Sequence, residues 1–259
     1  MKKLLGFSIF LVFVLIASLT AEAKVTLPAI FSDNMVLQQN TQVNVWGKAA
    51  PGEKVTVKAS WLDKAVTAKA AANGKWTVKL KTPKAITNQS VTVSGENEIT
   101  INNVLIGEVW LCTGQSNMEF PVSRHPDVKW NTGMLNEAEE LKDADYPEIR
   151  LFHVKHQLAH EGELDDCEGE WLVCNPKNLY DFSAVGFVFG RKLYKELKMP
   201  VGLIQSTWGG THAESWTKLD VMKKNPLYAD VLKDFALEGV KQQKNYCKVP
   251  ATLWNGMIL

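Results

Sequence analysis

The stretch VLIGEVWLCTGQSNM, residues 104–118, decides the fold of the larger part of the chain. Residues 104–111 are mostly apolar, which is typical of a strand that is covered on both faces in a parallel sheet. The polar turn Gly114-Gln115-Ser116-Asn117 follows directly. In an open α/β sheet, ligands bind outside the carboxyl ends of the strands. The stretch therefore predicts an α/β domain whose functional site includes this turn.

The residues after this stretch continue the alternation of strands and helices. Residues 149–154 and 201–205 predict two further strands. Between them, Ser183 is the predicted N-cap of a helix that runs to about Lys198, and Pro200 follows it as a stop signal. Along that helix, apolar side chains recur every fourth residue at Val185 and Phe189 and onward. This succession predicts an α/β layer architecture over residues 105–259.

Residues 24–104 have a different pattern. Apolar and polar residues alternate in short segments, as in Trp76-x-Val78-x-Leu80, so each predicted strand has one buried and one exposed face. The dipeptide Asn73-Gly74 is a strong hairpin signal. These features predict a small antiparallel β-sandwich that precedes the α/β domain. Nothing in this part of the sequence indicates catalysis.

The first 23 residues predict a secretory signal peptide. Two lysines precede an apolar run over residues 4–19, and Ala21-Glu22-Ala23 supplies the small residues of a cleavage site. The apolar run is short for a membrane span, and no later segment is long and apolar enough. We therefore expect cleavage after Ala23, export to the periplasm or the medium, and no membrane attachment afterwards.

Composition excludes several classes of protein. The chain has 259 residues, 46% hydrophobic and 22% charged, with 29 basic and 28 acidic side chains, so it is neither disordered nor fibrous. Its near-zero net charge gives no basic surface for nucleic acid. Nine tryptophans are many for this length. Exposed tryptophans often line sugar-binding surfaces, whereas buried ones fill cores.

The four cysteines predict one local disulfide. In an exported protein, Cys167 and Cys174 are close enough in sequence to close a short loop, whereas Cys112 follows an apolar run and is expected to be buried and free. The sequence contains no Cys-x-x-Cys pair, so it does not support a zinc ribbon or a redox motif.

Ser116 is the candidate nucleophile. A serine in a tight turn after a strand exposes its hydroxyl, and nearby backbone N–H groups can stabilise the oxyanion that forms on attack. The Gly-x-Ser-x-Gly turn of α/β-hydrolases is only half present, since Met118 occupies the second glycine position. Spacing alone leaves two alternatives open, a nucleophile or a serine that caps a helix.

A second turn, over residues 206–211, also follows an apolar strand. Its paired glycines, Gly209 and Gly210, permit close backbone approach to a bound group and free N–H donors for an anion. The alternative is an ordinary turn between a strand and a helix. Two such turns at carboxyl ends of strands favour a shared site, in which Gln115, Asn117 and Thr211 are candidate substrate-binding residues.

The histidines offer weaker hypotheses. His212 adjoins the glycine pair, so it is either a base for the serine or a residue at the rim of the site. His153, His156 and His160 have helical metal-ligand spacing, but their segment begins as a strand, which predicts His153 and His156 on opposite faces and no metal site. Residues 161–170 are rich in carboxylates, which suggests either calcium binding or, as we expect, a solvated loop.

Five segments together resemble the sialate O-acetylesterase family of carbohydrate esterases. They are LPAIFSDNMVLQ, VWGKAAPGEKVTV, IGEVWLCTGQSNMEFPV, FSAVGFVFGRKL and VGLIQSTWGGTHAESW, which occur in the family's order. The resemblance implies an SGNH-type hydrolase domain with a flavodoxin-like α/β/α fold, no metal or organic cofactor, and an O-acetylated carbohydrate substrate. It also implies that Ser116 is the nucleophile and that Gly210, with Gly209 as the alternative, donates an N–H to the oxyanion.

Two parts of the family's machinery have no counterpart in the sequence. The Gly-Glu-x-Asn segment is absent, and no aspartate precedes a histidine at the third position. The chain therefore resembles the amino-terminal part of such an enzyme, without the catalytic Asp/His region. Three functions stay open: an esterase for sialic acids or related sugars, an esterase for acetylxylan or another glycan, and an inactive remnant that at most binds sugar.

Overall fold

The computed structural model describes residues 24–125, 133–238 and 248–258. The predicted signal peptide and Cys247 lie outside these residues. No helix in the described ranges is long and apolar enough to cross a membrane.

The described strands and helices follow one another in mixed order. The strands are β1 (Val36–Gln38), β2 (Gln42–Lys48), β3 (Lys54–Ala59), β4 (Val66–Lys69), β5 (Lys75–Lys81), β6 (Ile86–Ser94), β7 (Glu98–Gly114), β8 (Tyr146–His153), β9 (Trp171–Cys174) and β10 (Val201–Thr207). The α-helices are α1 (Ser116–Glu119), α2 (Glu137–Lys142), α3 (Pro176–Leu179), α4 (Ala184–Leu197), α5 (Leu219–Lys223), α6 (Ala229–Glu238) and α7 (Thr252–Met257). Short 3-10 helices span Ala213–Trp216 and Pro226–Tyr228.

The long strand β7 links two differently built parts of one sheet, whose strand order is β4-β3-β6-β7-β10-β8-β9. Residues 98–106 of β7 pair with β6 in antiparallel fashion, and residues 108–114 pair with β10 in parallel fashion. The short β1 also pairs with β7, in parallel. The sequence pattern therefore changes near residue 104 because β7 exchanges its antiparallel neighbour for a parallel one. The division into residues 24–104 and 105–259 stays a prediction.

In the amino-terminal part, the two-stranded sheet β2-β5 packs against the larger sheet. The predicted alternation is confirmed in β5, where Trp76, Val78 and Leu80 are buried and the residues between them are exposed. The turn predicted at Asn73-Gly74 is present: the Gly74 N–H donates to the Ala71 carbonyl and the Ala71 N–H to the Lys75 carbonyl, both at 2.9 Å, and Gly74 has a φ of +76°. It joins β4 to β5, and because these strands belong to different sheets, the hairpin does not continue beyond the turn.

The α/β part contains the predicted elements. The parallel strands β7, β10 and β8 carry the three predicted apolar runs, and the antiparallel β9 completes this end of the sheet. Ser183 caps α4, because its Oγ accepts a hydrogen bond from the Gly186 N–H at 3.0 Å. The apolar side chains Val185 and Phe189 are nevertheless 51% and 39% exposed, and the helix packs through Gly186, Phe187 and Gly190 instead.

The predicted Cys167–Cys174 disulfide is wrong, since both thiols are free and buried. Cys167 belongs to a hydrophobic cluster shared with the amino-terminal part, whereas Cys174 is at the end of β9 in the cluster around α4. Proximity in sequence therefore does not bring the two sulfurs together. Cys112 is buried and free, as predicted.

The acidic segment 161–170 is a solvent-exposed loop, as expected, but its carboxylates also make long-range contacts. Asp165 pairs with Lys48, at 2.8 Å, and with Lys75. Asp166 accepts a hydrogen bond from the Ala29 N–H at 2.9 Å. The loop therefore ties the α/β part to the amino-terminal strands through Asp165 and Asp166.

Candidate active site

Ser116 lies where the sequence places it, at the carboxyl end of β7. The strand ends at Gly114, whose φ of +143° lies in a region that L side chains rarely adopt, and α1 begins at Ser116. The serine is partly exposed. It lines an open cavity of about 400 Å³ together with Gln115, Asn117, Met118 and Val185.

The glycine turn lies directly beside this serine. Residues Thr207 and Gly114 are paired between β10 and β7, and the Trp208 N–H donates to the Gly114 carbonyl at 3.1 Å. A Cβ placed on Gly209 would lie 3.3 Å from Ser116 Oγ, so any side chain there would press on the serine. The structure thus brings together the two turns that the sequence analysis singled out.

The two glycines differ in what their amides do. The Gly209 N–H donates a hydrogen bond to the carboxylate of Glu119. The Gly210 N–H makes no hydrogen bond within the described residues, and a Cβ on Gly210 would meet open space. Its φ of +71° is the left-handed conformation that favours glycine. Of the two candidate oxyanion donors, the geometry favours Gly210, because the other amide already has an anionic acceptor.

Glu119 is a central residue of this site that the sequence analysis did not select. Its Oε2 accepts from Gly209, and its Oε1 lies 2.8 Å from His156 Nε2. The His156 Nε2 is also 3.0 Å from the Thr207 carbonyl, and its ring stacks on Trp208 with centroids 4.0 Å apart. One carboxylate therefore joins the serine helix, the glycine turn and the segment after β8.

The electrostatics of Glu119 follow from these contacts. Burial by itself would raise the pKa of this carboxyl group, but the hydrogen bonds from His156 and from the Gly209 N–H outweigh it and lower the pKa below its usual value of 4.5. The carboxylate is therefore ionised at neutral pH. A signal was present in the sequence, since an acidic residue one helical turn after Ser116 has its side chain on the same side of the helix.

Ser116 has no imidazole partner among the described residues, which include all five histidines. Its Oγ donates a long hydrogen bond to Gln115 Oε1, at 3.5 Å. His212 is exposed at the start of the 3-10 helix Ala213–Trp216, and no hydrogen bond joins it to the serine. Its role as a base stays a prediction that this geometry does not favour.

The expectation that His153 and His156 lie on opposite faces is wrong. Strand β8 ends at His153, so strand alternation does not extend to His156, and both rings line a cleft of about 760 Å³ whose wall includes Glu119. His160 is elsewhere, with Nδ1 3.5 Å from Thr252 Oγ1. The described residues contain no group of three or more side chains that would hold a metal ion.

The three candidate substrate-binding residues are placed differently. Gln115 and Asn117 are exposed beside Ser116 and are free to contact a ligand. Thr211 is buried, and its hydroxyl donates to the Trp208 carbonyl at 2.7 Å and accepts from Trp216 Nε1 at 2.8 Å. The Thr211 hydroxyl thus stabilises the glycine turn. Contact with the substrate stays a prediction for Gln115, Asn117 and Thr211.

The chain is similar to known carbohydrate esterases. Residues 106–255 match the model of the carbohydrate esterase family of sialic acid-specific acetylesterases. The mouse sialate O-acetylesterase is 33% identical over 215 residues, which are 75% of this chain and 38% of the mouse protein. The human sialate O-acetylesterase is 31% identical over 205 residues, 72% of this chain and 37% of that protein.

A solved structure shows the same fold. The crystal structure of a carbohydrate acetylesterase from Xanthomonas citri superposes with a TM-score of 0.73 and 29% sequence identity, over 90% of this chain and 47% of that one. The chain thus spans less than half the length of these relatives. On the family match and the sequence identities, the chain belongs to the sialic acid-specific acetylesterase family of carbohydrate esterases.

Proposed function

We propose that the chain carries the nucleophile and oxyanion hole of an esterase that removes O-acetyl groups from carbohydrates, with sialic acids or related sugars as substrates. One observation carries the proposal. Ser116 lies against a glycine turn in which the Gly209 amide is engaged and the Gly210 amide is not. A serine hydroxyl beside an unengaged N–H donor is what acyl transfer requires.

In the proposed reaction, Ser116 Oγ attacks the carbonyl carbon of the acetyl ester while a general base takes the hydroxyl proton. The carbonyl oxygen becomes an oxyanion that accepts hydrogen bonds from the N–H groups of Ser116 and Gly210. Collapse of this intermediate breaks the bond to the sugar oxygen, which leaves as an alcohol after receiving the proton. Water then attacks the acetyl-serine, and acetate is released.

Glu119 acts in this scheme as a positioning residue. By accepting the Gly209 N–H, its carboxylate fixes the Trp208–Gly209 peptide, and so restrains the next peptide, which carries the Gly210 N–H. Oxyanion donors are effective because they are held in place before the reaction begins. His156 lies against the same carboxylate and, when protonated, offsets a negative charge that would otherwise oppose the oxyanion.

The general base is, we propose, supplied by a polypeptide region outside these 259 residues, together with the aspartate that orients it. Support comes from the site, where no histidine is within hydrogen-bond reach of Ser116 among the described residues. The relatives are more than twice as long as the part that matches. The alternative is that the protein is a remnant without turnover, which would have the same Ser116 site without a histidine partner.

An exposed apolar surface supports the same proposal. Trp110 and Leu111 on β7 are 42% and 50% exposed, and Phe189 of α4 packs on Trp110 with ring centroids 5.0 Å apart. Within the described residues, β10 is the one strand that pairs with residues 108–114 of β7. A sheet edge of this kind is normally covered in a folded enzyme.

We propose that residues 105–259 are the amino-terminal part of an SGNH-type domain with a flavodoxin-like fold, and that residues 24–104 are a small β-sandwich. The parallel order β7-β10-β8 supports the first statement, and the packing of β2-β5 on the larger sheet supports the second. We also propose export after removal of residues 1–23, which mass spectrometry of the exported protein would test.

The substrate has a second candidate. The match to sialate O-acetylesterases favours sialic acids, whereas the Xanthomonas structure is described only as a carbohydrate acetylesterase. The residues of the site position an acetyl group and not a particular sugar, so acetylxylan or another acetylated glycan is the alternative. Parallel assays on O-acetylated sialic acid and acetylated xylan separate the two.

The test begins with the gene. We expect its reading frame to continue beyond codon 259 and to encode the missing Asn, Asp and His, and we expect the longer product to hydrolyse 4-nitrophenyl acetate. In it, Ser116→Ala should abolish hydrolysis, and Gly210→Pro should lower it by at least about 10²–10³-fold, because it removes one N–H donor and cannot adopt the positive φ of Gly210. Ser60→Ala, at an exposed serine distant in sequence, is the matched control and should have no effect.

The 259-residue chain is assayed beside the longer product. Without a positioned base, the Ser116 hydroxyl stays protonated at pH 7, so we expect turnover at or near the uncatalysed rate. An ordinary enzymatic rate that Ser116→Ala removes would show that a base is present within the chain, and His212→Ala would then be measured next. A rate that Ser116→Ala leaves unchanged in the longer product would contradict the assignment of the nucleophile.

A further inference from the structure

A second cavity, of about 520 Å³, lies between the amino-terminal strands and the acidic loop. Its walls include three tryptophans, Trp46 and Trp76 from the strand pair β2-β5 and Trp254 from α7. We call it the tryptophan cavity. It shares no lining residue with the cavity at Ser116. Its volume is in the range of sites that hold small molecules.

The tryptophans give the cavity an aromatic surface, and their indole N–H groups differ in hydrogen bonding. Trp46 is half-buried and is held edge-on by Phe31, with ring centroids 4.6 Å apart. Trp254 is also half-buried, and its Nε1 donates to Glu163 Oε1 at 3.1 Å. Trp76 is 2% exposed, and its buried Nε1 has no hydrogen-bond partner within the described residues.

The charged groups of the cavity are paired with one another. Asp165 binds both Lys48 and Lys75, and Glu163 binds Lys218 at 2.6 Å. Together with Asp166, the lining contains equal numbers of cationic and anionic side chains. A ligand therefore meets donors and acceptors without an excess of either charge. Hydroxyl groups, which both donate and accept, suit such a lining, whereas a carboxylate would have to compete with Asp165 and Glu163 for the lysines.

We propose that the tryptophan cavity binds a neutral oligosaccharide. The C–H faces of pyranose rings are apolar and pack on indole rings, while their hydroxyls exchange hydrogen bonds with paired lysines and carboxylates. This inference goes beyond the proposed esterase, because binding at the tryptophan cavity requires neither Ser116 nor a general base. Its consequence is that the chain holds a glycan at a place separate from the one where an ester would be cleaved.

Binding is measured directly on the 259-residue chain by isothermal titration calorimetry. The neutral probes are xylohexaose and cellohexaose, and the anionic probe is hexagalacturonate. We expect at least one neutral probe to bind with a stoichiometry near one, and the anionic probe to bind more weakly. Ser116→Ala should bind as the unmodified chain does, which separates this inference from the proposed esterase.

Substitutions locate the site. Trp46→Ala and Trp254→Ala should each weaken binding about tenfold or more, because each removes one stacking surface. Trp110→Ala is the matched control, since that tryptophan is exposed on β7 outside the cavity, and it should leave affinity unchanged. Trp254→Phe retains an aromatic face but loses the N–H to Glu163, so it should bind within about threefold of the unmodified chain. Thermal unfolding of each variant identifies any that fails to fold.

Three results would overturn the proposal. The first is absence of binding by both neutral probes at millimolar concentration. The second is binding that folded Trp46→Ala and Trp254→Ala chains retain fully and that Trp110→Ala weakens, which would place the sugar on β7. The third is tighter binding of hexagalacturonate than of either neutral probe, which would contradict the charge balance of the lining.

Discussion

Replacing Glu119 by alanine tests whether this carboxylate holds the glycine turn. The substitution removes the acceptor of the Gly209 N–H and the partner of His156. The Glu119 side chain is only 16% exposed, so water does not readily replace it. A hydrogen bond to a charged group contributes about 1.5–3 kcal/mol to stability. The contact with His156, whose side chain is 40% exposed, adds less than about 1 kcal/mol after solvent screening.

From these contributions we expect Glu119→Ala to lower the free energy of unfolding by about 2–3 kcal/mol. For a domain of this size, each kcal/mol corresponds to about 2–4 °C in the midpoint of thermal unfolding, so the midpoint should fall by about 4–12 °C. Circular dichroism at pH 7 measures it. Glu168→Ala is the matched control. It removes a carboxylate that is 66% exposed and pairs with an exposed lysine, and it should cost at most about 1 kcal/mol.

The pH dependence of Glu119→Gln adds a second measurement. Because the pKa of Glu119 is lowered in the folded chain, its ionised form stabilises the fold above the ordinary pKa of 4.5, and this stabilisation is lost as the pH falls through the folded value. The difference in midpoint between the unmodified chain and Glu119→Gln should therefore be largest at neutral pH and shrink below pH 4.5. If Glu119→Ala is no more destabilising than Glu168→Ala, the positioning role is wrong.

Three further predictions concern other parts of the molecule. Gly209→Ala should lower the thermal unfolding midpoint, because the new Cβ would lie 2.7 Å from Glu119 Oε2, and the effect should be smaller in a chain that also carries Glu119→Ala. Gly210→Ala is the control: its Cβ meets no neighbour, so it should cost only about 1–2 kcal/mol, for the positive φ, with or without Glu119→Ala. Asp165→Asn should lower the unfolding midpoint at pH 7, and its difference from the unmodified chain should shrink as the pH falls below 3.8, because hydrogen bonds to lysines lower the pKa of Asp165 from that value and their contribution is lost as the pH falls through the folded value. Burial raises the pKa of the Cys167 and Cys174 thiols to about 11 and about 12, so iodoacetamide should modify both slowly in the folded chain and rapidly after unfolding without reductant; a pair that needs reductant would show a disulfide.

The elements of the α/β part were predictable because their signals are local. Three apolar runs became β7, β8 and β10, and the Ser183 cap fixed the start of α4. The pattern did not predict which face of α4 is buried. Val185 and Phe189 form a regular apolar stripe, yet they are exposed. Periodicity locates an apolar face but does not say which neighbour covers it, and here Gly186 and Gly190 allow the adjacent face of the helix to approach the sheet.

Other features depend on pairings between distant residues, which a single sequence does not contain. The turn at Asn73-Gly74 has the local chemistry of a hairpin, but strand partners are chosen by the packing of whole sheets. Cys167 and Cys174 are seven residues apart and belong to different clusters. Cys167 precedes β9 and Cys174 is its last residue, so this strand carries the chain from one core to the other. Spacing along the chain therefore could not decide the pairing.

The site combines both situations, and β7 explains how. The turn at Ser116 could be found from sequence because it directly follows a long apolar strand, and the strand's own residues determine where it ends. The glycine turn reaches Ser116 only because β10 pairs in register with β7 up to Gly114. At its amino-terminal end β7 is paired with β6, so the amino-terminal strands help to fix the position of the strand that carries the nucleophile turn. Glu119 then locks the two turns together with a single carboxylate, a contact between residues 90 positions apart that no local pattern encodes.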